Sequence, residues 1–162
     1  KAFYASYFSA RVDDFDLEIV LKGPEYVKAY ISELEAKGND ASVKEKGLLT
    51  VLEVVREMFA RGLRFTPLNI DHSHPTRFLI TDRGLLPPLV SVPGLGETAA
   101  ENIVAARAER PFSSQEDLRQ RGRLSRTLIS ILQEAGCLNH LPVDDQLNLF
   151  SKKAVDNNST WC

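Results

Sequence analysis

The run Val92-Pro93-Gly94-Leu95-Gly96 opens directly onto Glu97-Thr98-Ala99-Ala100-Glu101-Asn102-Ile103-Val104, and no other feature restricts the fold as strongly. Proline fixes its own φ, and glycine reaches backbone conformations that are closed to other residues. The run therefore reads as a tight corner, in which both glycines permit positive φ. The residues that follow carry apolar positions at helical spacing, so the corner delivers the chain into a helix whose first N–H groups have no partner within it. With no Cβ in the way, successive main-chain donors can face a single phosphate oxygen. A plain turn ahead of a helix is the alternative reading of the same residues.

A second corner lies in Asp117-Leu118-Arg119-Gln120-Arg121-Gly122-Arg123-Leu124-Ser125-Arg126-Thr127. Serine caps and apolar spacing predict helices over 97–108, 114–121 and 126–135, the last closed by Gly136. The two corners with their helices resemble a tandem helix-hairpin-helix domain, a resemblance that implies grip on duplex DNA through backbone geometry rather than base sequence. Between positions 107 and 126, Arg107, Arg110, Arg119, Arg121, Arg123 and Arg126 outweigh Glu109, Glu116 and Asp117, a local +3. Any one of these arginines on its own reads as part of a solvated helix face. Position at the second corner singles out Arg123 and Arg126. The expected DNA contacts are Gly94, Leu95, Gly96, Thr98, Arg123, Ser125 and Arg126.

Composition constrains the rest. Twenty Lys and Arg against twenty-two Asp and Glu give a formal charge of −2 over 162 residues, which argues against a broad basic surface of the histone kind. Main-chain contacts need no lysine, so a duplex partner stays compatible with that balance. Hydrophobic residues at 43% and charged residues at 26% are those of a folded globular chain. No apolar run approaches the roughly 20 residues of a membrane helix. Two cysteines, Cys137 and Cys162, cannot by themselves build a four-ligand zinc site. The expected setting is cytoplasmic, without a membrane partner. The chain opens at Lys1 and its only methionine is Met58, so it reads as part of a longer protein.

Upstream, residues 1–22 mix aromatics with apolar positions in a pattern that does not separate helix from strand. Val27, Tyr30, Ile31 and Leu34 predict a helix that starts at Pro24 and ends at Gly38. Ser42 and Glu45 form a capping-box pattern ahead of Leu48, Leu52, Val55 and Phe59, and Gly62 ends that stripe. Residues 63–92 are broken by prolines and by Asp82-Arg83-Gly84, which predicts short strands and turns. Asp13, Asp14 and Asp16 read as an acidic turn rather than a metal site, and His72 and His74 as loop histidines.

Near the end, Gln146-Leu147-Asn148-Leu149-Phe150 matches the short peptide by which bacterial replication proteins engage the sliding clamp. Leu149 and Phe150 suit an apolar pocket, Leu147 a shallower one, and the Gln146 amide both donates and accepts hydrogen bonds. The alternative is that the cluster folds back onto the core. The seven residues 139–145 read as an acidic linker that reaches about 25 Å at about 3.3–3.6 Å per residue.

Tyr4-Ala5-Ser6-Tyr7-Phe8, Val12-Asp13-Asp14-Phe15-Asp16, residues 44–53, the corner at 92–96, Glu116-Asp117-Leu118 and the pentapeptide, taken together and in order, resemble the C-terminal end of PolC-type bacterial DNA polymerase III alpha subunits. The resemblance implies an α+β, mainly α fold: a helical fingers-type segment with a short β element (1–90), a tandem helix-hairpin-helix domain (91–138), and a linker with the clamp-binding peptide (139–150). Residues 151–162 fall beyond the family's usual ending and read as a mobile tail, an extension or an added segment. The resemblance implies as partners duplex DNA in the form of primer–template, the sliding clamp and the rest of the polymerase chain. It implies no catalytic residue or cofactor in this stretch, the magnesium-binding carboxylates lying in a palm upstream. Two other readings stay open. One is an accessory domain of a repair protein that binds branched or nicked DNA; the other is an enzyme built on the acids at 13–16.

Overall fold

The computed structural model describes residues 1–145. They form two compact units, Lys1–Leu95 and a second that begins at Gly96. Among the described residues the architecture is α+β and mainly α, with one two-stranded sheet.

In the first unit, α1 (Ala2–Ala10) and a 3₁₀ turn (Val12–Asp14) lead into α2 (Leu17–Leu21), whose Ile19 amide donates to Asp16 Oδ1 at 3.0 Å. Helix α3 (Pro24–Lys37) has proline in its first turn, where the missing N–H costs nothing, and it ends at Gly38 with φ +51°. Helix α4 (Val43–Ala60) starts from the predicted capping box. The Glu45 amide donates to Ser42 Oγ at 3.1 Å, and the Ser42 amide donates to Glu45 Oε2 at 2.9 Å. The buried face of α3 (Val27, Ile31, Leu34) packs with that of α4 (Val51, Leu52, Val55, Met58, Phe59). Tyr4 Oη donates to Glu57 Oε1 at 2.9 Å, tying α1 to α4.

The segment after α4 is organised around aromatic rings. Phe8, Phe15, Phe65 and Phe78 contact one another in all pairs, with centroids 4.9–5.8 Å apart and mostly edge-on, the arrangement that ring quadrupoles favour. Strands β1 (Leu79–Ile80) and β2 (Leu85–Leu86) pair antiparallel, Leu79 opposite Leu86. Gly84 sits between them at φ +145°, where a Cβ would lie 2.2 Å from the Arg64 carbonyl oxygen, so only glycine closes this turn.

The second unit holds α5 (Glu97–Glu109), α6 (Gln115–Arg121) and α7 (Arg126–Glu134). Its core is Ala100, Ile103, Ala106, Phe112, Leu118, Leu124, Leu132 and Leu138. Ser114 caps α6 and Ser125 caps α7, as their sequence positions predict.

Residues 139–145 differ from the expected extended linker. The Gln115 and Glu116 amides donate to the Pro142 and Val143 carbonyls at 2.8 and 3.1 Å, and Leu141 is buried. Two first-turn amides of α6 that the Ser114 cap leaves without a partner, and an apolar side chain seeking cover, hold this stretch against the unit, so the 25 Å reach does not apply.

Candidate nucleic-acid interface

The first corner is pinned beneath and open above. Val92 and Leu95 are buried, and the Leu95 amide donates to the Val92 carbonyl at 3.1 Å, which closes the turn. Pro93, Gly94, Gly96, Glu97 and Thr98 are exposed. Gly94 uses the positive φ that glycine permits, at +82°, whereas Gly96 does not. At φ −74° and ψ 172° it is an ordinary extended N-cap, and its value lies in the absence of a side chain, since a Cβ there would meet nothing within 4 Å. No side chain caps α5. Among the described residues, no hydrogen bond engages the main-chain N–H groups of Gly94, Gly96, Glu97, Thr98 or Ala99. These donors stand at the positive end of the α5 dipole. Leu95 is 3% exposed and its amide already donates to Val92, so of the expected contacts it alone offers the duplex no donor.

The second corner repeats this pattern with a substitution in its middle. The sequence points to Gly122 as the residue that turns the chain, but Gly122 lies at φ −77° and is buried. Its hydrogen stands where a Cβ would approach the Leu118 carbonyl oxygen to 2.7 Å, so close packing and not turn geometry requires glycine. Positive φ falls instead to Arg123, at +54°. Leu124 is then buried as Leu95 is, and Ser125 occupies the N-cap as Gly96 does, its Oγ accepting from the Leu128 amide at 3.2 Å. The left-handed residue, the buried leucine and the cap thus run Gly94-Leu95-Gly96 in one corner and Arg123-Leu124-Ser125 in the other.

The arginine cluster divides in two. Arg110 and Arg121 both bind the Asp117 carboxylate, at 3.0 and 2.9 Å, and the Ser113 amide donates to it at 3.0 Å. Burial works against ionisation of Asp117, but the Ser113 amide and the two guanidinium groups outweigh it and hold the carboxyl below its ordinary value. Arg121 also donates to the Ala106 and Arg110 carbonyls, capping the end of α5, and lies over the Phe112 ring. Arg119 binds Glu116, which with help from Gln120 is drawn down to about 2. These three arginines are structural, a role the sequence reading missed; only the 117–121 spacing hinted at it. Arg123, Ser125 and Arg126 are exposed, and among the described residues neither Arg123 nor Arg126 forms an ion pair.

Elsewhere, Asp14 pairs with Arg11 and Asp16 caps α2, so two of the three early acids have local structural partners. Among the described residues, no group of three or more His, Cys, Asp or Glu side chains is placed to hold a metal ion. No helix there is long and apolar enough to cross a membrane. Gln146, Leu147, Leu149 and Phe150 lie outside the described residues.

Two glycine- or serine-capped corners, each feeding a helix over a buried leucine, define a helix-hairpin-helix protein. The family model of the helix-hairpin-helix motif matches residues 62–146, and the chain belongs to that family. Over 150 residues the chain is 53% identical to the DNA polymerase III PolC-type of Caldanaerobacter subterraneus subsp. tengcongensis, covering 93% of the chain and 11% of that relative. The Bacillus subtilis protein of the same name is 48% identical over 148 residues, and that of Clostridium perfringens 45% over 150. The expected resemblance to PolC-type polymerases therefore holds over nine-tenths of the chain. The chain spans only about a tenth of the length of these relatives.

Proposed function

We propose that this chain is the part of a bacterial replicative polymerase that grips duplex DNA behind the site of synthesis and tethers the enzyme to its sliding clamp. The observation that carries the reading is the first corner, where exposed main-chain donors without a protein partner open a helix inside the matched helix-hairpin-helix stretch. Phosphate oxygens suit such donors, and contacts of this kind fix position without reading sequence. Gly94, Gly96 and Thr98 would hold one stretch of backbone, with Leu95 anchoring the corner from beneath, and Arg123, Ser125 and Arg126 another. Nucleotidyl transfer would belong to the remainder of the polymerase, in the cytoplasm.

Gln146, Leu147, Leu149 and Phe150 supply the tether in this reading. Their support is the sequence match, together with an anchored root: residues 141–143 bonded to α6 leave only Asp144 and Asp145 between a fixed point and the peptide. Non-specific duplex binding is typically about 10⁻⁴ to 10⁻⁶ M at physiological salt. Joining it to a second contact raises avidity about 10²- to 10⁴-fold where geometry permits. Gly94→Val with Gly96→Val should weaken binding to fluorescent duplexes of unrelated sequence to the same degree, and unchanged anisotropy would remove the hairpin from the account. Phe150→Ala should abolish capture on an immobilised clamp while duplex binding persists; retained capture would reject the peptide.

A further inference from the structure

The two corners share one backbone plan and differ in what they offer. At the left-handed position the first has Gly94 and the second Arg123. Glycine adopts such a φ without strain and a branched or long side chain does not, so the turn itself gives no reason for arginine. The neighbouring ion pairs give none either, because Asp117 and Glu116 are already taken by Arg110, Arg121 and Arg119. What arginine adds at an exposed corner is a guanidinium directed away from the fold.

The supply of main-chain donors runs the other way. Gly96 has no side chain, so the first-turn amides of α5 have no cap, whereas at the second corner Ser125 Oγ occupies the Leu128 amide and the Arg123 amide donates to the Gln120 carbonyl, which leaves fewer main-chain donors there, those of Ser125, Arg126 and Thr127. The first corner also carries no cation. Its only charged residue between 93 and 98 is Glu97, an anion.

We infer that the corners hold the duplex backbone by different chemistry, the first through uncharged main-chain amides and the second through the guanidinium of Arg123. This rests on the duplex reading above and adds to it a division of the salt dependence. A cation that neutralises a phosphate releases a condensed counterion, and each such contact adds about 0.9 to the slope of log affinity against log salt. A neutral amide hydrogen-bonds the phosphate without cancelling its charge and adds nothing comparable.

The test is a fluorescence anisotropy titration of the full 162-residue chain on a labelled duplex at several sodium chloride concentrations. Arg123→Gly fits the observed φ, so folding is not at risk. It should flatten the slope by about 0.9, so that its deficit shrinks about 3- to 4-fold between 50 and 200 mM salt. Arg123→Lys should restore the slope. Gly96→Ala, whose added carbon meets nothing within 4 Å in the fold, should lower affinity by one factor at every salt and leave the slope alone. An unchanged slope in Arg123→Gly, or equal slope changes at both corners, overturns the division while leaving duplex binding intact. Absence of binding by the unmodified chain overturns the duplex reading and the division together.

Discussion

Asp117→Asn tests the network that holds the second hairpin in place. The Asp117 side chain is 8% exposed and accepts from the Ser113 amide, Arg110 and Arg121. Asparagine keeps one acceptor for Ser113, but its charge is gone and its NH₂ faces guanidinium donors. Arg121 is 16% exposed and loses a charge-assisted bond of about 1.5–3 kcal/mol. Arg110 is 58% exposed, and its share is about 0–1 kcal/mol. Screening at the exposed arginine keeps the sum near about 2–3 kcal/mol, or about 30- to 150-fold in the opening equilibrium. Because Arg121 also caps α5 through the Ala106 and Arg110 carbonyls, the loss should spread into the last turn of α5 as well as α6. Hydrogen exchange read by mass spectrometry should show that acceleration in peptides covering 104–121 and little change in α3 and α4. Protection within twofold of the unmodified chain across 104–121 would refute the network's role.

Three further outcomes follow from the structure. Gly84→Ala places a carbon 2.2 Å from the Arg64 carbonyl oxygen at a φ of +145°, so urea unfolding should show a loss of about 3 kcal/mol or more in the first unit, and an unmoved midpoint would contradict the turn as described. Glu45, drawn down to about 2 chiefly by Lys37 and the Ser42 amide, and Glu116, drawn down to about 2 chiefly by Arg119, each lie below the usual 4.5. Their folded values are depressed, so their contribution is present above about pH 4.5 and disappears as pH falls toward 2. Melting curves over that window should slide downward for the unmodified chain and less for Glu45→Gln or Glu116→Gln. The Cys137 thiol, pushed up to about 11 by burial, should resist alkylation at pH 8 until the second unit unfolds, which peptide mass mapping reads directly.

Helices with explicit punctuation were readable from sequence. Pro24, the Ser42–Glu45 box, Ser114 and Ser125 each mark a start that the backbone obeys, because orphan N–H groups at a helix start accept few substitutes. Residues 1–22 were not readable. Helix α1 buries Tyr4 and Phe8 yet exposes Phe3, so aromatic residues lie on more than one side and erase the periodic signal. At the candidate interface, the first corner was readable down to Gly94. The second was not, since the glycine rule points at Gly122, and only the nearness of the Leu118 carbonyl reveals that this glycine answers packing while Arg123 makes the turn. The anchoring of residues 141–143 depends on carbonyls meeting α6 from more than twenty positions away, a pairing no local pattern encodes.

The most direct measurement is a ¹H–¹⁵N spectrum of the full chain titrated with a short duplex of arbitrary sequence. The account predicts that the largest shifts fall on the amides of Gly94, Gly96, Glu97 and Thr98 and on those of Arg123, Ser125 and Arg126, in the same order for a second duplex of unrelated sequence. Shifts concentrated away from both corners, or a pattern that changes with base sequence, would contradict it.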